Sequence, residues 1–215
     1  MCGIIGISAE KNVAEEIYES LLMLQHRGQD AAGMVVCEPS GKLNSRKSKG
    51  YVRDVFQQNH MNNLQGNLGI GHVRYPTAGG IGKEFAQPMY VNTPYGISLA
   101  HNGNLTNSKK LAAELFHAER RHINTDSDSE VLLNIFALEL SKQEAVFPKP
   151  KDFFSAVEKT HLRINGAYAV VALITGYGIL AFRDPLGIRP LSIGIRKGKN
   201  RNEYVVSSET ALFSS

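Results

Sequence analysis

The chain has 215 residues, 42% of them hydrophobic and 20% charged, which is enough to bury a core and unlike a disordered tail. No apolar run approaches the roughly 18 residues of a membrane helix, and the opening MCGIIGISAEKN lacks the basic and long apolar stretches of a signal peptide, so a cytosolic protein with no membrane partner is expected. The net charge of +4 is modest, and the five cations between Lys42 and Arg53 have only Tyr51 interleaved with them, which argues for a solvated loop and against a nucleic-acid partner.

In chain order, CGIIGIS (2–8) reads as a buried strand and Val13 to His26 as an amphipathic helix, with Val13, Ile17, Leu21 and Leu24 at helical spacing. AAGMVVC (31–37) and NLGIGHVR (67–74) are strand-like, TAGGIG (77–82) is glycine-rich, and ISLAHNG (97–103) reads as a strand running into a turn. Ser127 and Glu130 have capping-box spacing ahead of a helix with Val131, Leu132, Ile135 and Phe136 on its apolar face. FPKPK (147–151) breaks that helix, and 152–163 resumes as another. Four strands follow, at 167–175, 178–184, 190–196 and 203–209. Strands at both ends with helices between them, and no linker or repeat, predict one layered α+β domain over 2–215.

Several residues have types suited to chemistry. Cys2 and Cys37 are too few for a disulfide framework or a four-cysteine metal site. Removal of Met1, which a small second residue permits, would place the Cys2 thiol beside its own α-amine, a nucleophile and a general base in one residue. Arg74 closes a strand before a proline-led turn, where a guanidinium suits a carboxylate. Asn102-Gly103 is first a turn signal, yet the Asn102 amide and Gly103 N–H also suit an oxyanion hole. Two aspartates, Asp126 and Asp128, open the long helix, and one of them suits an ammonium group. His26, His72 and His101 lack metal-ligand spacing, and neither a P-loop nor GxGxxG occurs.

Taken together, CGIIGI (2–7), LQHRGQDAAGM (24–34), GHVRYPTAGG (71–80), LAHNGNLTN (99–107), HINTDSDSEVLLNIFA (122–137) and FRDPLGIRPL (182–191) resemble the N-terminal-nucleophile glutaminase domain of class II glutamine amidotransferases, in the branch of the amidophosphoribosyltransferases. Glucosamine-phosphate synthases and asparagine synthetases share the opening but differ around the arginine segment, where Tyr75 follows Arg74 here. The resemblance implies a four-layer αββα sandwich of two mainly antiparallel sheets. It implies Cys2 as nucleophile, Asn102 and Gly103 as oxyanion hole, Arg74 on the α-carboxylate of L-glutamine and Asp128 on its α-ammonium, with Asp126 as helix-start charge. It implies no cofactor in this segment, with magnesium and phosphoribosylpyrophosphate belonging to a phosphoribosyltransferase domain absent from this chain, and a homo-oligomer for the full-length protein. The alternative expectations are the glutaminase domain of a glucosamine-phosphate synthase or asparagine synthetase type of class II amidotransferase, or a domain that binds glutamine without turning it over.

Overall fold

A computed structural model describes residues 1–75, 82–143 and 145–213. Its elements in chain order are β1 (Gly3–Ser8), α1 (Ala14–Met23), β2 (Ala31–Cys37), β3 (Leu43–Lys49), the one-turn helices α2 (Val52–Val55) and α3 (Gln58–Met61), β4 (Leu68–Arg74), β5 (Met89–Val91) and β6 (Ile97–Leu105). Then come α4 (Ser108–His117), α5 (Asp128–Ser141), α6 (Pro150–Arg163), β7 (Gly166–Ile174), β8 (Gly178–Arg183), β9 (Ser192–Lys197) and β10 (Asn202–Ser207). The strands form two antiparallel sheets, ordered β3-β2-β4-β1-β10-β9 and β5-β6-β7-β8.

Alternation along the strands builds the layers. Ile4, Val35, Ile70, Ala100, Ala169 and Val171 fill the space between the two sheets. Ile5, Ile7, Met34 and Val36 point the other way, onto Ile17 and Leu21 of α1. Leu99, Val170 and Ala172 turn outward onto Leu132, Ile135 and Phe136 of α5. The result is a four-layer αββα sandwich, as expected.

Some local expectations need correction. The basic stretch 42–53 is not a loop. Leu43–Lys49 forms an edge strand paired to β2, and only Gly50, at φ 119°, makes the turn into α2. Lysine and arginine there follow edge-strand logic, since charge discourages pairing with another chain. Asn102-Gly103 is not a turn either, because β6 continues to Leu105 and Gly103 pairs with Tyr168 of β7. The Ser127 cap forms, its side chain accepting from Ser129 N–H, but Glu130 does not close a reciprocal box. Its carboxylate instead accepts from the N–H groups of Asn124 and Thr125. The glycine-rich stretch 77–82 falls, except for Gly82, outside the described residues.

Candidate active site

β1 and β4 pair in antiparallel register through Gly3 and Val73, so one step further places Cys2 opposite Arg74 at the end of the six-stranded sheet. Gly3 allows this approach, since a Cβ there would meet Val73 at 2.8 Å. The Cys2 backbone is tied down by Arg27, whose Nε donates to the Cys2 carbonyl at 3.0 Å and whose Nη1 pairs with Glu209 at 2.7 Å. That arginine holds the Glu209 carboxyl below its ordinary range. The thiol Sγ accepts from the Tyr75 N–H at 3.5 Å. Burial pushes the thiol pKa up, opposed by the contact with Tyr75, the N-terminal ammonium and Arg74.

Arg74 is 5% exposed and forms an ion pair with Asp30, whose own N–H donates to the Arg74 carbonyl. Its guanidinium also lies 5.2 Å from the centroid of the Phe85 ring. A guanidinium carries five N–H donors in a planar fork suited to carboxylates.

The other sheet supplies β6. Backbone pairing with β7 runs through its even-numbered residues, as in the Thr106 N–H to Asn165 and the Thr175 N–H to Gly96 bonds at the strand's two ends. The N–H groups of His101, Gly103 and Leu105 therefore leave the opposite edge. β5 covers that edge only at Ile97–Leu99. The His101 N–H donates to Gln87 Oε1 at 2.7 Å and the Leu105 N–H to Asp128 Oδ2 at 2.9 Å. Between them, the Gly103 N–H is directed into the cleft. A side chain is impossible at Gly103, since a Cβ would stand 2.1 Å from the Ala167 carbonyl oxygen. Asn102 is 1% exposed, and its Nδ2 has no partner among the described residues.

Cys2, Arg74, Gly103 and Asp128 thus line one small cleft, with Asn102 beside it in β6. Asp126 does not reach the cleft and instead borders a groove with Asn104 and Lys109. A roomier apolar pocket, about 220 Å³ beside Phe153 and Tyr177, contains none of these residues. Sequence reasoning missed Asp30, Phe85, Gln87 and Ser129. Asp30 and Arg27 stood within the family-like segment 24–34, but neither Gln87 nor Phe85 carried any signal. The histidines that lack metal-ligand spacing make hydrogen bonds instead. His72 Nε2 meets the His101 carbonyl at 3.2 Å, and His26 bonds Met23 and Glu209. A thiol, a backbone N–H, a guanidinium and a carboxylate in one cleft, with an unspent amide donor on the adjoining residue, are groups that can grip an amino acid and cleave an amide.

This fold and cleft define a glutamine amidotransferase domain, and the chain belongs to the family of that description, which matches residues 81–215. It is similar to the amidophosphoribosyltransferase of Pseudomonas aeruginosa, 57% identical over 98% of this chain and 42% of that protein. The amidophosphoribosyltransferase of Escherichia coli is 55% identical over 98% of this chain and 42% of that protein. The chain therefore spans less than half the length of these curated relatives. Among solved structures, the glutamine phosphoribosylpyrophosphate amidotransferase from B. subtilis complexed with ADP and GMP superposes with a TM-score of 0.81 at 33% identity, over 99% of this chain and 43% of that one. A predicted glutamine amidotransferase from Pseudomonas aeruginosa shares the fold alone, at TM-score 0.60 and 15% identity over 100% of this chain and 91% of that one.

Proposed function

We propose that this chain hydrolyses the side-chain amide of L-glutamine to glutamate and ammonia through a thioester on Cys2. The observation that carries the reading is the convergence of Cys2, Gly103, Arg74 and Asp128 on one cleft, with Asn102 next to Gly103 in β6. With Met1 removed, the α-amine of Cys2 takes the thiol proton and the thiolate attacks the amide carbon of glutamine. The oxyanion is stabilised by Asn102 Nδ2 and the Gly103 N–H. Collapse of this intermediate expels ammonia, which takes its proton from the α-ammonium. Water then cleaves the thioester to glutamate and restores the thiol. Arg74 holds the α-carboxylate of the substrate and Asp128 its α-ammonium.

On the amidophosphoribosyltransferase reading, the ammonia displaces pyrophosphate from phosphoribosylpyrophosphate to give phosphoribosylamine, the first step of purine nucleotide synthesis. The likeness to amidophosphoribosyltransferases supports this second reading. Magnesium, phosphoribosylpyrophosphate and the contacts of a homo-oligomer belong, on this reading, to a phosphoribosyltransferase domain outside the present chain. The same likeness supports a cytoplasmic location, and no helix among the described residues is long and apolar enough to cross a membrane.

The test is an intact mass after treatment with a diazo-oxo analogue of glutamine. Loss of Met1 with one adduct on Cys2 is the expected result. Met1 retained and no adduct would instead leave a glutaminase fold without a working active site, consistent with a thiol whose pKa burial has raised.

A further inference from the structure

Gln87 stands two residues before β5, 5% exposed, and joins elements far apart in sequence. Its Oε1 accepts from the His101 N–H on β6 at 2.7 Å, and its Nε2 donates to Ser129 Oγ at 2.9 Å. Ser129 follows Asp128 in the first turn of α5, and its Oγ also lies 2.9 Å from His101 Nδ1. Four residues further along β6, the Leu105 N–H donates to Asp128 Oδ2. The Gly103 N–H is therefore bracketed, because the N–H groups on both sides of it on the same strand edge are tied to one turn of α5.

Gln87 is itself braced from behind. Gly33 of β2 packs so tightly on it that a Cβ there would lie 1.9 Å from the Gln87 carbonyl oxygen. Lys47 Nζ donates to the carbonyl of the next residue, Pro88, at 3.0 Å. A side chain that spends both of its polar ends on the oxyanion strand and on the helix bearing Asp128 sets the span between them.

We propose that Gln87 is a positioning residue that fixes the distance from the Gly103 N–H to the Asp128 carboxylate, so that the cleft accepts only an amide whose α-ammonium lies one glutamine length from its carbonyl. This deepens the glutaminase reading and rests on it. Binding energy from the ammonium end speeds the reaction only if the carbonyl reaches the oxyanion donors at the same moment. A displacement of about 1 Å is enough to cost about 100-fold in rate. Loss of the brace therefore penalises a substrate whose ammonium is gripped by Asp128 more than one that lacks the ammonium.

The experiment compares the full chain, with Met1 removed, against Gln87→Met, which keeps the length of the side chain and loses both bonds. kcat/KM is measured for glutamine and for 4-carbamoylbutanoate, which is glutamine without its amino group. The preference for glutamine is expected to fall by about 10- to 100-fold in the variant, through kcat as well as KM. A role confined to folding lowers both substrates by one factor, and that result, or an unchanged preference, overturns the proposal. If Gln87→Met does not fold, Ser129→Ala removes the same tether from the helix side and is read in the same way. If the unaltered chain releases no ammonia, the glutaminase reading fails by itself. Crystal structures of both proteins then decide the inference, and a Gly103-to-Asp128 span that moves by less than about 0.5 Å in the variant overturns it.

Discussion

The Asn102 amide nitrogen is buried, with no hydrogen-bond partner among the described residues. Leaving a buried donor unpaired costs about 1–3 kcal/mol. Such a cost makes sense where the partner is a charge that exists only during reaction, since a donor already in place needs no reorganisation. Asn102→Ala is therefore expected to lower glutaminase kcat by about 100- to 1,000-fold, with KM little changed, while the melting temperature does not fall. Steady-state ammonia release and thermal unfolding of the same sample check this, and a parallel fall in both would make Asn102 a structural residue. That Cys2, Arg74 and Asp128 belong together was legible because each sits in a family-like segment and has a type suited to amide cleavage on an amino acid, and the fold does bring them to one cleft. Gln87 was not, for its partners lie 14 and 42 residues away and its chemistry consists entirely of those tertiary contacts.

At the next scale, the first turn of α5 is built to carry Asp128. Ser127 caps the turn, and Glu130 accepts from the Asn124 N–H at 2.9 Å, the Thr125 N–H at 2.8 Å and the Thr125 hydroxyl at 2.6 Å. The spacing of Ser127 and Glu130 announced a helix start, but not that the carboxylate would reach past the cap to fasten the preceding segment. Spacing fixes which residues share a turn, whereas the approach path of the chain depends on packing outside it. The same limit explains β3, where composition suggested a loop and only its partner β2 makes a strand of it. Glu130→Ala removes three acceptor contacts at once and lets 124–127 loosen, which shifts Asp128. A loss of about 1–3 kcal/mol in urea unfolding is expected, together with a KM for glutamine that rises more than kcat falls. An unchanged KM in a destabilised variant would separate the helix start from substrate binding.

Across the whole molecule, the two sheets meet through an apolar layer crossed by a polar link. His72 of β4, 0% exposed, bonds through Nε2 to the carbonyl of His101 in β6. Facing a carbonyl, Nε2 must carry the ring proton, so Nδ1 is a bare acceptor, and it has no partner among the described residues. Protonation there would bring charge into the layer between the sheets, and burial accordingly lowers the His72 pKa to about 3. Because the folded value lies below the unfolded value of about 6.5, the unfolded chain binds more protons as the pH falls. The stability held by neutral His72 is complete above about pH 6.5 and is lost as the pH falls toward about 3, by about 1.4 kcal/mol per pH unit. Burial lowers the pKa of His101 and His161 too, so they act in the same direction. The carboxyls of Asp184, Glu203 and Glu209, also held below their ordinary range, begin to matter only nearer pH 4. Between pH 6.5 and 5 the acid sensitivity therefore belongs to the buried histidines. His72→Gln keeps a donor for the His101 carbonyl and cannot take up the proton. Urea midpoints across that window are expected to fall less steeply for the variant than for the unaltered chain, and parallel curves would locate the sensitivity elsewhere than in the link between the sheets.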